Sequence, residues 1–282
     1  MTSLIGFVKG NGIEIATTSY GDISHPALIL VMGATASMDW WDEDFCSLLA
    51  STGFHVIKYD NRDVGQTTTC PPGLINYTIS HMVDDLMTVA GAYSLQSFHV
   101  MGLSLGGMIA QLAAIKFPER IASLTLCGTS VWDDLPHLPP IRPEIINFLQ
   151  ESTRIDWEKP DCIINYIIES WRILSGSGHT FNTERVKSCA ESELARSINI
   201  QSRFNHGLLG GCEELYGKSS LISSPAIILH GDEDPVFPIE HAHELQKTIA
   251  DSTLHIMQKT GHELPENEWK TIADLMKCHL KI

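Results

Sequence analysis

Hydrophobic residues follow two alternating patterns along this chain. Short apolar runs such as Ala27–Met32 are typical of strands that are buried on both faces of a sheet. Longer stretches such as Leu105–Phe117 carry apolar residues at helical spacing. The predicted strands are Gly12–Ser19, Ala27–Met32, His55–Tyr59, Ser97–Met101, Ile121–Cys127, Ala226–Leu229 and Thr253–Met257, and the predicted helices are Trp41–Ser51, Ile79–Ala92, Leu105–Phe117, Glu240–Ile249 and Glu266–His279. This alternation predicts an α/β protein in which helices cover both faces of a mostly parallel sheet.

Two parts of the chain depart from the alternation. Leu4–Val8 and Gly12–Ser19 flank a Gly-Asn-Gly turn, which predicts an antiparallel hairpin at one edge of the sheet. The stretch from about Val131 to Ser224 lacks a clear buried strand. Its helix-like runs are Pro143–Gln150, Asp161–Ile173 and Thr183–Asn199. We therefore expect residues 1–130 and 225–282 to form the core and residues 131–224 to form a helical cap inserted between two late strands.

The most specific chemical signal is the run from Gly102 to Gly106, which reads Gly-Leu-Ser-Leu-Gly between a predicted strand and a predicted helix. This run matches the G-x-S-x-G nucleophile elbow, and it lies at a strand-to-helix turn, which is where that motif indicates a nucleophilic serine. The two small residues permit a tight turn that exposes the hydroxyl of Ser104 as a nucleophile. The backbone N–H of Leu105, at the start of the helix, is expected to stabilise an oxyanion. An ordinary serine in a glycine-rich turn is the alternative interpretation.

A serine nucleophile needs a base and an orienting carboxylate, in the chain order Ser, acid, His for such an elbow. Asp234 follows a late predicted strand and is the candidate acid. Asp232 is a local alternative, whose structural role would be an Asx-type turn. Asp133 and Asp134, after an earlier strand, are a second alternative. His262 follows the last predicted strand in a Thr-Gly-His sequence and is the candidate base.

The second oxyanion donor is expected in the loop after the strand Ala27–Met32. Small residues in this loop keep backbone N–H groups accessible, and Ala34 is the expected donor by its position. The charged run Tyr59–Gly65 is interpreted as a local Asp–Arg ion pair that fixes a tight turn.

Other histidines and the tryptophans are interpreted mainly as structural residues. His230 and His255 are expected to pack beside strands, and His241 and His243 to face water. Five tryptophans fall in loops or in the cap, where they could line a pocket or simply pack the cap on the core. They are Trp40, Trp41, Trp132, Trp157 and Trp171.

Composition excludes several classes of protein. The 282 residues include 34 acidic and 19 basic side chains, and the resulting net charge of −15 disfavours nucleic acid and anionic membranes as partners. No apolar run approaches the roughly 18 residues of a membrane span, and the N-terminus lacks the form of a secretory signal. Seven scattered cysteines without metal or redox spacing predict free thiols in the cytoplasm. Neither a dinucleotide fingerprint nor a P-loop is present, so no cofactor and no metal are implied.

Together, the elbow, the loop around Asp234 and the Gly-His262 sequence resemble the α/β-hydrolase superfamily. Three further runs resemble aclacinomycin methylesterase and its bacterial relatives more closely. These runs are Leu30–Gly33, His55–Asp63 and Trp171–Gly176. The resemblance covers most of the chain. It implies a cofactor-free enzyme with a core sheet and a helical cap, which hydrolyses a carboxylic methyl ester on an aromatic polyketide.

The resemblance also assigns roles to individual residues. It matches Ser104 to the family's nucleophile, Asp234 to its acid and His262 to its base. Ala34 and Leu105 match the oxyanion donors, although the family is expected to carry glycine at the first position and commonly carries methionine at the second. Both roles use the backbone, so the chemistry survives these departures.

We therefore expect a serine hydrolase that cleaves a small or medium, mostly apolar carboxylic ester through an acyl-enzyme intermediate. The same triad could act on a lactone or a carbon–carbon bond, or form a peracid, because these reactions differ in pocket shape. A third hypothesis is a ligand-binding protein that keeps the fold without turnover. The sequence does not specify the oligomeric state. Loops such as Ser175–Gly178 are candidate hinges for movement of the cap.

Overall fold

In the computed structural model, which describes residues 6–280, one eight-stranded sheet carries helices on both faces. The strands are β1 (Gly6–Gly10), β2 (Ile13–Tyr20), β3 (Ala27–Val31), β4 (His55–Tyr59), β5 (Phe98–Leu103), β6 (Ile121–Cys127), β7 (Ala226–Gly231) and β8 (Ser252–Met257). The helices are α1 (Glu43–Ser51), α2 (Ile79–Ala92), α3 (Leu105–Lys116), α4 (Pro143–Glu151), α5 (Pro160–Leu174), α6 (Thr183–Arg196), α7 (Glu240–Thr248) and α8 (Trp269–Leu280). The strand order is β1-β2-β4-β3-β5-β6-β7-β8, and all pairs from β4 to β8 are parallel. The predicted α/β-hydrolase architecture is confirmed.

The N-terminal hairpin forms the antiparallel edge of the sheet. β1 pairs with β2, and β2 pairs antiparallel with β4. The turn places Asn11 at φ 52° and Gly12 at φ 76°, a left-handed pair that suits a two-residue hairpin turn. The first residues of the predicted strand Leu4–Val8 lie outside the described residues.

Two apolar layers sandwich the sheet because side chains alternate along each buried strand. On β3, Ile29 and Val31 face the layer formed with α2, α3 and α7. Leu28 and Leu30 face the opposite layer, formed with α1 and α8. The continuous apolar run of β3 therefore follows from burial on both faces of the sheet.

The stretch between β6 and β7, called the helical segment below (residues 128–225), contains α4, α5 and α6 and no strand among its described residues. A 3₁₀ helix over Ile200–Leu208 follows α6. The predicted helix Thr183–Asn199 ends at Arg196, because Ser197 adopts an extended conformation. Ile163, Ile167 and Ala190 form a small core between α5 and α6. Assignment of this segment as a separate cap domain stays a prediction.

Candidate active site

Ser104 occupies a sharp turn between β5 and α3. Its backbone lies at φ 54° and ψ −118°, a strained conformation for a residue with a side chain. The last residue of β6 and the loop that follows β6 each fix this turn by one hydrogen bond. Ser104 N–H donates to the carbonyl of Cys127 at 2.9 Å, and the hydroxyl of Thr129 donates to the carbonyl of Ser104 at 2.8 Å.

The glycines at both ends of the turn permit close backbone packing. A Cβ atom on Gly102 would collide with the carbonyl of Gly106. A Cβ atom on Gly106 would collide with the carbonyl of Val31 on β3. The start of α3 can therefore lie against the sheet only without these side chains.

Asp234 and His262 form a buried pair. His262 Nδ1 donates to Asp234 Oδ2 at 2.7 Å, and the other carboxylate oxygen accepts the N–H groups of Val236 and Phe237 at 2.7 and 2.9 Å. Burial of Asp234 opposes ionisation, but the imidazoles of His262 and His230 and these hydrogen bonds outweigh it. They hold the pKa of Asp234 below its ordinary value. The pair is thus an ionised carboxylate that orients a histidine.

The sheet brings the three predicted triad residues to one edge. β5, β7 and β8 are parallel and end just before Ser104, Asp234 and His262 respectively. Gly128, the residue directly after the intervening β6, packs against the buried pair, since its Cβ position is 3.2 Å from His262 Nδ1 and 3.3 Å from Asp234 Oδ2. Among residues 6–280, no hydrogen bond joins Ser104 Oγ to the ring of His262.

The loop after β3 lies beside Ser104. The Cβ position of Gly33 is 3.2 Å from Ser104 Cβ and 3.8 Å from Ser104 Oγ. The next residue, Ala34, is exposed, and Thr35 adopts a left-handed conformation at φ 65°. Within the described residues, the N–H groups of Ala34 and Leu105 have no hydrogen-bond partner. Both predicted oxyanion donors therefore lie beside the serine with their N–H groups available.

Buried side chains hold this loop, and sequence reasoning missed them. Three backbone N–H groups donate to them: Thr35 to His206 Nδ1 at 2.9 Å, Ser37 to Glu193 Oε1 at 2.8 Å, and Met38 to Asp60 Oδ1 at 2.8 Å. His206 and Glu193 belong to the helical segment and carry no motif. Their role depends on contacts between positions more than 150 residues apart, so the sequence held no local signal for it.

The alternative acids have other partners. Asp232 accepts the N–H of Lys259 at 2.5 Å, so it joins the loop after β8 rather than forming the expected local Asx turn. Asp133 accepts the N–H of Asp134 at 2.8 Å. Within the described chain, Asp234 is the carboxylate hydrogen-bonded to the ring of His262.

The interpretation of the charged run Tyr59–Gly65 as a local ion pair was wrong. Asp60 is fully buried and binds Arg196 from α6, with two contacts of 3.0 Å. Arg62 binds Asp85 of α2 instead, with contacts of 2.5 and 2.8 Å. Buried carboxylates need close, bidentate partners, and those partners come from distant helices.

The histidine expectations hold in part. His230 is buried and donates from Nε2 to the carbonyl of Phe237 at 2.7 Å, while His255 is partly exposed near Glu268. His243 is exposed as expected. His241 was expected to face water but is buried, because its ring nitrogens contact Ser130 Oγ at 2.7 Å and a backbone carbonyl at 2.8 Å.

A cleft of about 560 Å³ opens beside the strand ends, between the core and the helical segment. Three lining residues are chain neighbours of site residues: Met32 precedes Gly33, Leu103 precedes Ser104, and Glu263 follows His262. Trp40, Trp41 and Trp171 also line the cleft. Trp40 stacks on Trp171 with a centroid distance of 4.4 Å.

Of the tryptophans that the sequence placed in loops or in the cap, Trp132 and Trp157 pack elsewhere. Trp132 donates to the carbonyl of Cys212 at 3.0 Å, and Trp157 packs edge-on against Tyr166 and Phe204. No helix within residues 6–280 is long and apolar enough to cross a membrane. In the same residues, no cluster of His, Cys, Asp or Glu has the arrangement of a metal site.

The fold and the strand–turn–helix elbow define an α/β-hydrolase. Residues 23–269 match the family described as serine aminopeptidase, S33, and because this match covers most of the chain, the protein belongs to that family. The protein is therefore an enzyme of the hydrolase class.

Two relatives match nearly the whole chain. Rhodomycin D methylesterase of Streptomyces peucetius is 24% identical over 97% of both chains. The enzyme of the same name from Streptomyces sp. (strain C5) is 25% identical over 95% of both. The expected resemblance to methylesterases is confirmed, and these names agree with a hydrolase that acts on ester bonds.

Solved structures agree on the fold. An esterase from Exiguobacterium antarcticum superposes with a TM-score of 0.79 at 18% identity, covering 99% of this chain and 100% of that one. The 2-hydroxy-6-oxo-6-phenylhexa-2,4-dienoate hydrolase of Rhodococcus sp. strain RHA1 superposes with a TM-score of 0.77 at 20% identity, covering 100% of both.

Proposed function

We propose that the protein is a serine esterase in which Ser104 is the nucleophile, His262 the general base and Asp234 the orienting acid. The observation that carries this proposal is the 2.7 Å hydrogen bond from His262 Nδ1 to Asp234, beside the elbow that holds Ser104. Because Nδ1 carries the proton, Nε2 keeps a lone pair that can accept the proton of Ser104. Catalytic hydrogen bonds are often long before substrate binds, so the unformed Ser–His contact is compatible with this role.

The reaction proceeds through an acyl-enzyme. Ser104 Oγ attacks the ester carbonyl while His262 accepts its proton, and the N–H groups of Ala34 and Leu105 donate to the oxyanion. The tetrahedral intermediate then breaks its bond to the alcohol oxygen, and His262 donates a proton to the leaving alcohol. Water, deprotonated by His262, attacks the acyl group and releases the carboxylic acid and Ser104.

The aromatic cleft supports an apolar acyl group of small or medium size. Its walls include the stacked pair Trp40–Trp171. They also include the core residues Met32 and Leu103, which lie next to the elbow and to the loop after β3 (residues 33–38), called the oxyanion loop below. In this proposal the helical segment acts as the cap over residues of the core. The net charge of −15 disfavours anionic esters, because the field of the protein repels them. Methyl esters are candidate substrates, since the two relatives are methylesterases.

The test is a panel of p-nitrophenyl and methyl esters with graded acyl size, including one polycyclic aromatic methyl ester. We expect turnover that prefers apolar acyl groups, and Ser104→Ala should lower kcat by at least about 10⁴-fold, because it removes the nucleophile. Ser123→Ala is the matched control. Ser123 lies near the start of β6, whereas Ser104 lies beside the end of that strand, so this variant should keep wild-type turnover.

Labelling with a fluorophosphonate separates the enzyme from a binding protein of the same fold. An inert Ser104 together with no turnover would overturn the esterase proposal, and turnover retained by Ser104→Ala would overturn it equally.

We further propose a cytoplasmic location and a small-molecule ester as the partner. All seven cysteines are free thiols, which is typical of proteins in a reducing compartment. Fractionation of the native host, with free-thiol titration of the isolated protein, checks this location.

A further inference from the structure

The oxyanion loop is held from the helical segment through His206. The ring is 5% exposed and bridges two backbone groups of the core. Its Nε2 lies 2.7 Å from the carbonyl of Arg62, and its Nδ1 lies 2.9 Å from the N–H of Thr35. A carbonyl only accepts, so Nε2 carries the proton and Nδ1 accepts from Thr35. The neutral ring is thus locked at both ends.

Thr35 needs such a restraint. Its φ of 65° is unfavourable for a β-branched residue, and strained conformations persist only where the surroundings over-determine them. On the other side of Ala34, Gly33 packs against Ser104. The backbone of Ala34 is therefore fixed between a contact with the elbow and a hydrogen bond to the helical segment.

A second contact supports the same loop from the same segment. Glu193 is 1% exposed and accepts the N–H of Ser37 at 2.8 Å. Its other oxygen binds Arg203 at 3.1 Å, which fixes the carboxylate. The loop is thus bound at two alternate residues by side chains of α6 and the following 3₁₀ helix.

We propose that His206 is a positioning residue, which acts through Thr35 to aim the N–H of Ala34 at the oxyanion. The helical segment then completes the oxyanion hole in addition to covering the cleft. This inference rests on the proposed esterase function. Its direct consequence is that loss of the His206 contact weakens binding of the transition state while leaving binding of the ground state nearly intact.

The test compares His206→Leu with His206→Gln, using p-nitrophenyl butyrate and an alkyl trifluoromethyl ketone that adds to a catalytic serine as an oxyanion. We expect His206→Leu to lower kcat about 10- to 100-fold and to change KM less than about twofold, because removal of a whole oxyanion donor costs about 10²–10³. Affinity for the ketone should fall by the same factor as kcat/KM. His206→Gln can both donate and accept, so it should restore both values to within a few-fold of wild type.

His99→Leu is the matched control. This partly buried histidine bonds Ser123 Oγ at 2.7 Å near the start of β5, away from the oxyanion loop. It should lower thermal stability without lowering ketone affinity. Unchanged ketone affinity in folded His206→Leu would overturn the inference, as would a loss that His206→Gln fails to reverse.

Two further measurements keep the test decisive. If His206→Leu does not fold, Thr35→Gly is the substitute, because glycine relieves the strain at this position and makes the same peptide more flexible. This variant should lose less kcat and less ketone affinity than His206→Leu, and both should fall in parallel. Wild-type values of kcat and ketone affinity would contradict the inference. Ser104→Ala measured alongside separates the two proposals. Turnover that depends on Ser104 but not on His206 leaves the esterase standing and rejects only the positioning role.

Discussion

The helical segment is attached to the core at two loops of the candidate site, and the two attachments use different chemistry. Beside the oxyanion loop, charged side chains make the contact: Arg196 binds Asp60 with two contacts of 3.0 Å, and the buried carboxylate of Asp60 accepts the N–H of Met38 in that loop. At the loop before His262, backbone N–H groups are the donors: His262 N–H donates to the carbonyl of Leu174 at 2.7 Å, and N–H groups of the helical segment donate to a backbone carbonyl and to carboxylates of the core. Buried charges are costly when one partner is lost, whereas backbone contacts survive most substitutions and depend on close approach.

The second attachment also changes the picture of cap movement. Ser175–Gly178 was a candidate hinge, but Gly176 N–H donates to Glu263 Oε1 at 2.8 Å and Ser177 N–H donates to Glu233 at 2.7 Å. Gly178 N–H donates to the carbonyl of Lys259 at 2.7 Å. A loop fastened at three consecutive residues is a poor hinge. We therefore expect the helical segment to hold both loops of the candidate site in place during turnover.

The largest effect is expected from Arg196→Met, which leaves the carboxylate of Asp60 buried without its cation. Breaking a buried pair in this way typically costs about 3–5 kcal/mol, so the free energy of unfolding measured in urea should fall by about that amount. Lys270→Met is the control, because its pair with Asp274 is exposed and should contribute less than about 1 kcal/mol. Equal losses of unfolding free energy in the two variants would show that the pair beside the oxyanion loop contributes no more stability than an exposed ion pair.

Gly176→Ala tests the backbone attachment and should have an intermediate effect. The new Cβ would collide with the carbonyl of Lys259 and lie 2.6 Å from the N–H nitrogen of Gly261, just before His262. Because backbone must move to relieve this overlap, we expect a loss of about 1–3 kcal/mol in unfolding free energy. Displacement of His262, the proposed base, should also lower kcat about tenfold.

Gly207→Ala, in the same helical segment, provides the control for that experiment, since no atom lies within 4 Å of its Cβ position. Stopped-flow or steady-state ester hydrolysis and urea unfolding of both variants are sufficient. A Gly176→Ala protein with wild-type kcat would mean that the loop before His262 can shift without moving the base.

Sequence reasoning predicted the parts of the molecule that local patterns determine. The apolar runs gave the parallel strands because burial on both faces leaves no polar alternation. The elbow at Ser104 was evident because a turn this tight needs glycine on both sides. Asp234 and His262 were predicted because each follows a late strand, and parallel strands bring their carboxyl ends to one edge of the sheet.

The rest depends on contacts between residues that are distant in sequence. Asp60 and Arg62 lie two positions apart and suggested a local pair, yet each is bound by a helix elsewhere in the chain. A fully buried carboxylate requires a partner that can bind both of its oxygens, and in this fold α6 brings that partner from a distant part of the sequence. His206 belongs to the same class, because a lone histidine in a loop-like stretch has no periodicity that points to its function.

The smallest effect, and the one that most sharply separates the two attachments, is the pH dependence contributed by His206. Burial, aided by the cation of Arg203, lowers the pKa of His206 below its ordinary value of about 6.5, although the carbonyl of Arg62 and the carboxylate of Asp63 favour the charged form. The unfolded state therefore binds a proton first as the pH falls. Stability is unaffected above about pH 6.5 and is lost below it, by at most about 1.4 kcal/mol per pH unit.

His206→Gln removes this group while keeping the hydrogen bonds. Urea unfolding at pH 7, 6 and 5 should show the wild type losing more stability than the variant on acidification. Other buried histidines such as His230 are present in both proteins and cancel in the difference. The comparison between Gly176→Ala and the wild type should show the opposite trend. Burial lowers the pKa of His179, but its hydrogen bond to Glu263 outweighs this and raises the pKa, so the pair stabilises the fold at low pH. Gly176 N–H donates to the same carboxylate, and its displacement should weaken that pair. A pH-independent difference for His206→Gln would mean that the ring does not gain a proton on unfolding in this range, and the proposed neutral, doubly hydrogen-bonded ring would then lose this support.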